Sequence, residues 1–269
     1  MKLFETLVVV VLVILGLAFA TLSQAAPDVE DRSVAGGDYV VVMPEGVPSD
    51  SSLPVLFYYH GYGQSADTVK NNKALLSLAS SRGVLLIIPN GLNRSWSNVG
   101  APSEARDEIT FTQNILRDVQ ANWKTQKNHI WATGFSQGGS MVWDVGCYMG
   151  SEFSAIFPIA GSFWRPHPAT CKSPVNIRHI HGLNDRVVPM NGRAIGANWH
   201  QGDVRQGMAI WEDVNGCDVT PVEISLKDMD CKVWSKCRSG KALELCLHKG
   251  GHSVKTEWIA DGIDWAESL

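Results

Sequence analysis

Short apolar runs alternate along the chain with longer stretches in which apolar residues recur every three or four positions. Leu53–Tyr59 (LPVLFYY) ends at His60-Gly61, and residues 84–88 (VLLII) are closed by Pro89-Asn90-Gly91. Runs of this length, apolar at nearly every position and bounded by turn residues, predict strands covered on both faces. Residues 130–135, 155–160 and 175–181 repeat the pattern. Ala74, Leu75, Leu78 and Ala79 mark a helix over residues 73–82. Ile109, Ile115, Leu116, Val119 and Trp123 mark an amphipathic one over residues 103–124. Residues 138–150, a stretch within 192–214, and residues 258–265 predict further helices. Residues 232–238 and 241–248 predict a hairpin turning at Ser239-Gly240. Repeated β–loop–α order predicts an α/β fold, a mostly parallel sheet between two layers of helices. No repeat or linker interrupts it, so residues 26–269 are expected to form one domain.

The first residues stand apart. Lys2 precedes an apolar run over residues 7–22, and Ser23-Gln24-Ala25 places small residues where a signal peptidase cuts. Residues 1–25 are therefore expected to be a signal peptide, the mature chain being secreted or periplasmic with no lasting membrane partner. An uncleaved anchor is the alternative. Of 269 residues 45% are hydrophobic, which excludes intrinsic disorder, and a net charge of −4 argues against nucleic acid as a partner.

Six cysteines follow the export signal, and an even number in an oxidising compartment predicts three disulfides. Fifteen pairings are possible. The predicted hairpin brings Cys231 near Cys246; Cys217 can then reach Cys237, leaving Cys147 with Cys171. No CxxC spacing or paired histidines point to a metal, and no feature calls for a cofactor.

Candidate chemistry begins at Gly134-Phe135-Ser136-Gln137-Gly138, a G-x-S-x-G pattern between a predicted strand and a predicted helix. A sharp strand-to-helix turn lifts the serine hydroxyl above the sheet and sets the next N–H at a helix N-terminus, ready for an oxyanion. Serine needs a base, and the base needs a carboxylate to set its tautomer. The order expected is Ser, then acid, then His, each on a loop after a strand. Asp185 follows the strand ending at Gly182, and His252 lies in Gly250-Gly251-His252-Ser253 after the last strand. His179 and His181 precede the acid within a strand, His129 precedes the serine strand, and His167, His200 and His248 lack a glycine-flanked loop. Asp203 and Asp213 fall on a helical stretch. His60-Gly61-Tyr62-Gly63 follows an early strand, so a main-chain N–H near Tyr62 is expected to complete an oxyanion hole with that of Gln137. Among ten tryptophans, Trp96, Trp143 and Trp164 are candidates to line a substrate site, with Tyr62 and Trp199 nearby. Asp107 and Glu108 are read as capping the helix that follows them.

HGYGQSA, NGLNRSW, DEITF, GFSQGGSM, HGLNDRVVP and GGHS occur in this order. As a set, from about Asp38 to the C-terminus, they resemble secreted α/β-hydrolase esterases of the poly(3-hydroxybutyrate) depolymerase and feruloyl esterase type. The resemblance implies Ser136, Asp185 and His252 as a triad, and fits Cys217–Cys237 and Cys231–Cys246 beneath the histidine loop. It implies a polyhydroxyalkanoate, feruloyl or acetyl-polysaccharide ester as substrate. Where that family often continues GGHS with a Trp-Pro pair, Val254-Lys255 follows here. A peptidase, or a polymer-binding protein that kept the fold without the chemistry, are the alternatives.

Overall fold

The computed structural model describes residues 28–48, 50–217 and 220–269; the expected signal peptide lies outside the described residues. In chain order the elements are β1 (Val29–Val34), β2 (Gly37–Val42), β3 (Leu53–Tyr59), α1 (Ala66–Lys70), α2 (Lys73–Ser81) and β4 (Leu85–Pro89). There follow α3 (Glu108–Asn122), β5 (Thr125–Phe135), α4 (Gln137–Met149), β6 (Ala155–Ile159) and β7 (Asn176–Gly182). The last part holds β8 (Arg193–Ile195), β9 (Trp199–Gln201), α5 (Val204–Asn215), β10 (Val222–Leu226), β11 (Met229–Trp234), β12 (Leu243–His248) and α6 (Thr256–Glu267).

Ten strands form one sheet in the order β1-β2-β4-β3-β5-β6-β7-β12-β11-β10. From β4 to β12 every neighbouring pair is parallel, and antiparallel hairpins finish both edges. Side chains alternate across the pleat, so an apolar run feeds two cores. On β3, Leu53, Val55, Phe57 and Tyr59 join the core under α3, α4 and α5, while Leu56 and Tyr58 join that under α1, α2 and α6. Phe111, Ile115 and Val119 of α3 and Met208 and Trp211 of α5 close the first core; Leu75 and Ala79 of α2 and Trp258 and Ile263 of α6 close the second.

The chain passes from β3 outward to β4, then returns to β5 on the other side of β3. The loops leaving β3 and β5 therefore diverge at the carboxyl ends of adjacent strands. Such a reversal opens a crevice in an open α/β sheet.

Several boundaries differ from expectation. Helix α3 starts at Glu108 rather than near residue 103, because the Asp107 side chain accepts the Thr110 N–H and caps it there. Residues 192–201 are not helical. Gly192 and Gly196 have positive φ, and Arg193–Ile195 pairs with Trp199–Gln201 as a two-stranded ribbon; the helix begins only after the Asp203 cap. Strand β11 stops at Trp234, since Cys237 turns away to meet Cys217, so the hairpin loop is longer than Ser239-Gly240. Strands β1, β2 and β10 were not among the expected elements: β1 and β10 are largely exposed and carry no apolar run, while the short run over residues 39–42 of β2 is buried.

Three disulfides join Cys147 to Cys171, Cys217 to Cys237 and Cys231 to Cys246, with no free cysteine. Cys231 and Cys246 are register partners across β11 and β12, 15 residues apart in sequence. Closing a loop of that length removes entropy worth about 3 kcal/mol from the unfolded chain. Replacing both cysteines with alanine is expected to lower the midpoint of thermal unfolding by about 6–12 °C, read by calorimetry.

Candidate active site

Strand β5 ends at Phe135 and α4 begins at Gln137, so Ser136 alone makes the turn. Its φ of 60° and ψ of −121° are ones that a residue with a Cβ holds only under constraint, at a cost of about 1–3 kcal/mol. The constraint is local: Ser136 N–H donates to Ile159 O at 3.0 Å and its carbonyl accepts from Ser140 N–H at 3.0 Å. The flanking glycines let the turn close. A Cβ on Gly134 would lie 2.6 Å from Gly138 O and 2.7 Å from Tyr59 O, and one on Gly138 would run into Tyr59 O itself. Helix α4 thus starts directly against the backbone of β3.

Asp185 and His252 meet because β7 and β12 are neighbours and their pairing continues into the loops. Leu183 N–H donates to His248 O at 2.9 Å, Asn184 N–H to Gly250 O at 3.0 Å and Asn184 Nδ2 to Lys249 O at 2.6 Å. Asp185 Oδ1 accepts the N–H groups of Val187 and Val188, each at 2.8 Å. Its Oδ2 lies 2.6 Å from His252 Nδ1, and His252 Nε2 lies 2.9 Å from Ser136 Oγ. Burial pushes the Asp185 carboxyl up, but the bonds from His252 and Val188 outweigh it and hold the group below the usual carboxylate range. An ionised Asp185 keeps a proton on His252 Nδ1, so the Nε2 lone pair of the neutral ring faces the serine hydroxyl.

A second chain of hydrogen bonds runs beneath the acid loop. The Trp143 indole can only donate, and it reaches His179 Nδ1 at 3.3 Å. His179 must then carry its proton on Nε2, which meets His181 Nδ1 at 3.0 Å; His181 Nε2–H in turn donates to Val188 O at 2.7 Å. Val188 N–H closes the path on Asp185 Oδ1. Burial pushes both imidazoles below the usual histidine value, so they stay neutral. One donor-only ring on α4 therefore orients two buried histidines on β7 toward the acid loop.

The loop after β3 is braced in the same manner. Gly91 N–H donates to His60 Nε2 at 3.0 Å, which leaves Nδ1–H for Gly61 O at 2.9 Å, and burial takes the His60 pKa down to about 4. Gly61 N–H is taken by Gln64 Oε1, Gly63 N–H by Arg94 O and Gln64 N–H by Gly61 O. Among the described residues, the Tyr62 N–H of this loop is left uncommitted. The Gln137 side chain turns aside to donate to Trp96 O at 3.0 Å, leaving its main-chain N–H at the start of α4.

Two expected substrate residues belong to the core instead. Trp96 and Trp143 are fully buried, Trp96 donating to His60 O at 2.7 Å and Trp143 to His179. Large rings with one donor fill the space behind the site and orient its loops. Trp164 and Tyr62 do line the cavity that Ser136 opens into, about 360 Å³ in volume, whereas Trp199 sits outside it on β9. Pro102, Val187, Val188 and Ile195 complete its apolar wall, and Ser95, Ser140, Arg193 and Gln201 its polar one. The ribbon residues Arg193, Ile195 and Gln201 were not among the expected site residues, since strands of three residues show no period in the sequence; Gly192 and Gly196 were the available signal. A more open groove of about 800 Å³, near Lys124 and Lys127 at the other end of β5, contains none of these groups.

No family model matches the chain. Feruloyl esterase B of Piromyces equi is 26% identical over 234 residues, 80% of this chain and 42% of that protein. A probable feruloyl esterase C of Aspergillus niger is 24% identical over 229 residues, 82% of this chain and 78% of the relative. The chain spans 42–59% of the length of three of the curated relatives it matches. Among solved structures, acetyl xylan esterase from Aspergillus awamori superimposes with a TM-score of 0.62 at 10% identity, over 90% of this chain and 100% of that one. The chain has the α/β-hydrolase fold. A serine-to-alanine mutant of the feruloyl esterase module from Clostridium thermocellum complexed with sinapinate superimposes with a TM-score of 0.53 at 15% identity, over 91% and 87% of the two chains.

Two measurements test these assignments. With Trp143→Phe the indole donor is lost while an aromatic ring is kept in the core, so the Nε2–H tautomers of His179 and His181, read from ¹⁵N imidazole shifts, should be defined in the parent and mixed in the variant. The second concerns Asp144, fully buried on α4, where the loss of water raises its pKa to about 7 although Asn98 Nδ2 and Val99 N–H donate to it. Between the usual carboxylate value and pH 7 the folded state then binds more protons than the unfolded one, so this group makes stability fall as pH rises. Asp144→Asn should make the decline in thermal midpoint between about pH 4 and 7 shallower.

Proposed function

We propose that the chain is a secreted serine hydrolase of carboxylic esters. The observation that carries this is the continuous relay from Asp185 to His252 to Ser136, at 2.6 and 2.9 Å, opening into an apolar-walled cavity. Ser136 Oγ attacks the ester carbonyl while His252 Nε2 takes its proton, and Asp185 stabilises the imidazolium that forms. The main-chain N–H groups of Gln137 and Tyr62 receive the tetrahedral oxyanion at the positive end of α4. His252 returns the proton to the departing alcohol, and water, activated by the same histidine, releases the acyl group. None of these steps draws on a metal or an organic cofactor.

A cavity of about 360 Å³ suits one aromatic or short acyl group. Trp164 and Tyr62 offer ring faces to a phenolic acid, in keeping with relatives named feruloyl esterases. Export is supported by the leader-like residues 1–25 and by three disulfides. Among the described residues no helix is long and apolar enough to cross a membrane.

Hydrolysis of 4-nitrophenyl butyrate and methyl ferulate tests the reading. Ser136→Ala should lower kcat by at least about 10⁴-fold and Asp185→Asn by a comparable factor, with folding retained. Turnover of both esters by Ser136→Ala at the parent's rate would remove the serine from the chemistry.

A further inference from the structure

The mouth of the cavity carries a charge that neutral ester hydrolysis does not use. Arg193 lines the cavity with Ser136, and its Nε donates to Gln201 Oε1 at 3.1 Å, Gln201 being itself buried. Arg94, Arg165 and Arg186 stand next in sequence to the lining residues Ser95, Trp164 and Val187. These four arginines come from four separate segments: the loops after β4, β6 and β7, and the β8–β9 ribbon. All are exposed. Elsewhere four arginines are matched with acids, Arg32 with Asp118, Arg82 with Asp264, Arg106 with Glu108 and Arg178 with Glu244, while Arg117 and Arg205 reach only the amide oxygens of Asn114 and Asn191. Among the described residues, none of these four forms an ion pair. Of the acids nearby in the chain, Asp185 is buried against His252, Asp107 and Asp203 cap α3 and α5, and Glu104 is exposed beside Ser103. With a net charge of −4, the protein has no general excess of cations to account for Arg193 in the cavity wall.

We propose that the site is built for acidic esters, in which the substrate bears a carboxylate near the bond that is cut, as on a polysaccharide carrying uronic acids. This rests on the reading of the site as an ester hydrolase. Gln201 holds the Arg193 guanidinium by Nε, which leaves both Nη groups to grip a carboxylate side by side. Arg193 draws an anionic chain toward the cavity by a field that reaches about 8 Å at physiological salt. The apolar wall at Trp164 and Ile195 takes the acyl group while the cation fixes the charged end.

Two matched pairs of esters test this: mono-4-nitrophenyl adipate against 4-nitrophenyl hexanoate, with the charge on the acyl side, and 4-carboxyphenyl butyrate against 4-carbamoylphenyl butyrate, with it on the alcohol side. In at least one pair the parent should favour the anionic ester in kcat/KM. Sodium chloride at about 0.5 M should erode that preference. Arg193→Gln should reduce the anionic-to-neutral ratio about tenfold, and Arg193→Lys, which keeps the charge but not the fork, by less. Neutral turnover with no anionic preference in either pair, or a ratio unmoved by Arg193→Gln, overturns this inference alone. Hydrolysis of none of the four esters overturns the ester-hydrolase reading along with it.

Discussion

One backbone turn governs the rest of the site. Ser136 holds a conformation costing about 1–3 kcal/mol because its N–H is anchored on Ile159 and its carbonyl on Ser140, with Gly134 and Gly138 packed against the backbone of β3. No residue with a Cβ fits at either glycine without displacing backbone, so the Cβ that carries the hydroxyl is placed by main-chain packing. That stiffness matters because a relay spanning 2.6 and 2.9 Å has no slack to absorb a loose serine.

Around the turn, the direction of each hydrogen bond is imposed by groups that can only donate. Gly91 N–H sets the tautomer of His60, and the Trp143 indole sets those of His179 and His181 in series. Burial lowers the pKa of all three rings, so these braces stay neutral to lower pH than a free imidazole would. His252, by contrast, is partly open to solvent and faces an ionised carboxylate. The protein thus separates buried histidines that hold shape from the one that meets the serine hydroxyl.

Much of this was visible in the chain before folding. Apolar runs such as Leu53–Tyr59 mark strands whose two faces are both covered, and the glycines around Ser136, with Asp185 and His252 following in order on post-strand loops, mark where chemistry gathers. Side-chain identity was a poor guide to the substrate wall. Trp96 and Trp143 share a residue type with Trp164, yet only the last reaches the cavity, because exposure depends on what packs against a residue and not on what it is. The ribbon at residues 192–201 was not legible for a related reason: three-residue strands have too few positions to show a period, and only the positive φ of Gly192 and Gly196 reveals them.

Local order along the chain was enough to specify layered α/β architecture, the strand-to-helix turn at Ser136 and the three residues of the hydrogen-bonded relay, since each follows from periodicity, turn chemistry or the succession of strands. Distances, protonation and the place of Arg193 in the cavity wall were settled only by folding. They arise where β3, β5, β7 and β12 place their outgoing loops side by side, bringing residues up to 116 positions apart into contact. Periodicity reports which face of an element is buried; it carries no information about which distant loop will lie against it.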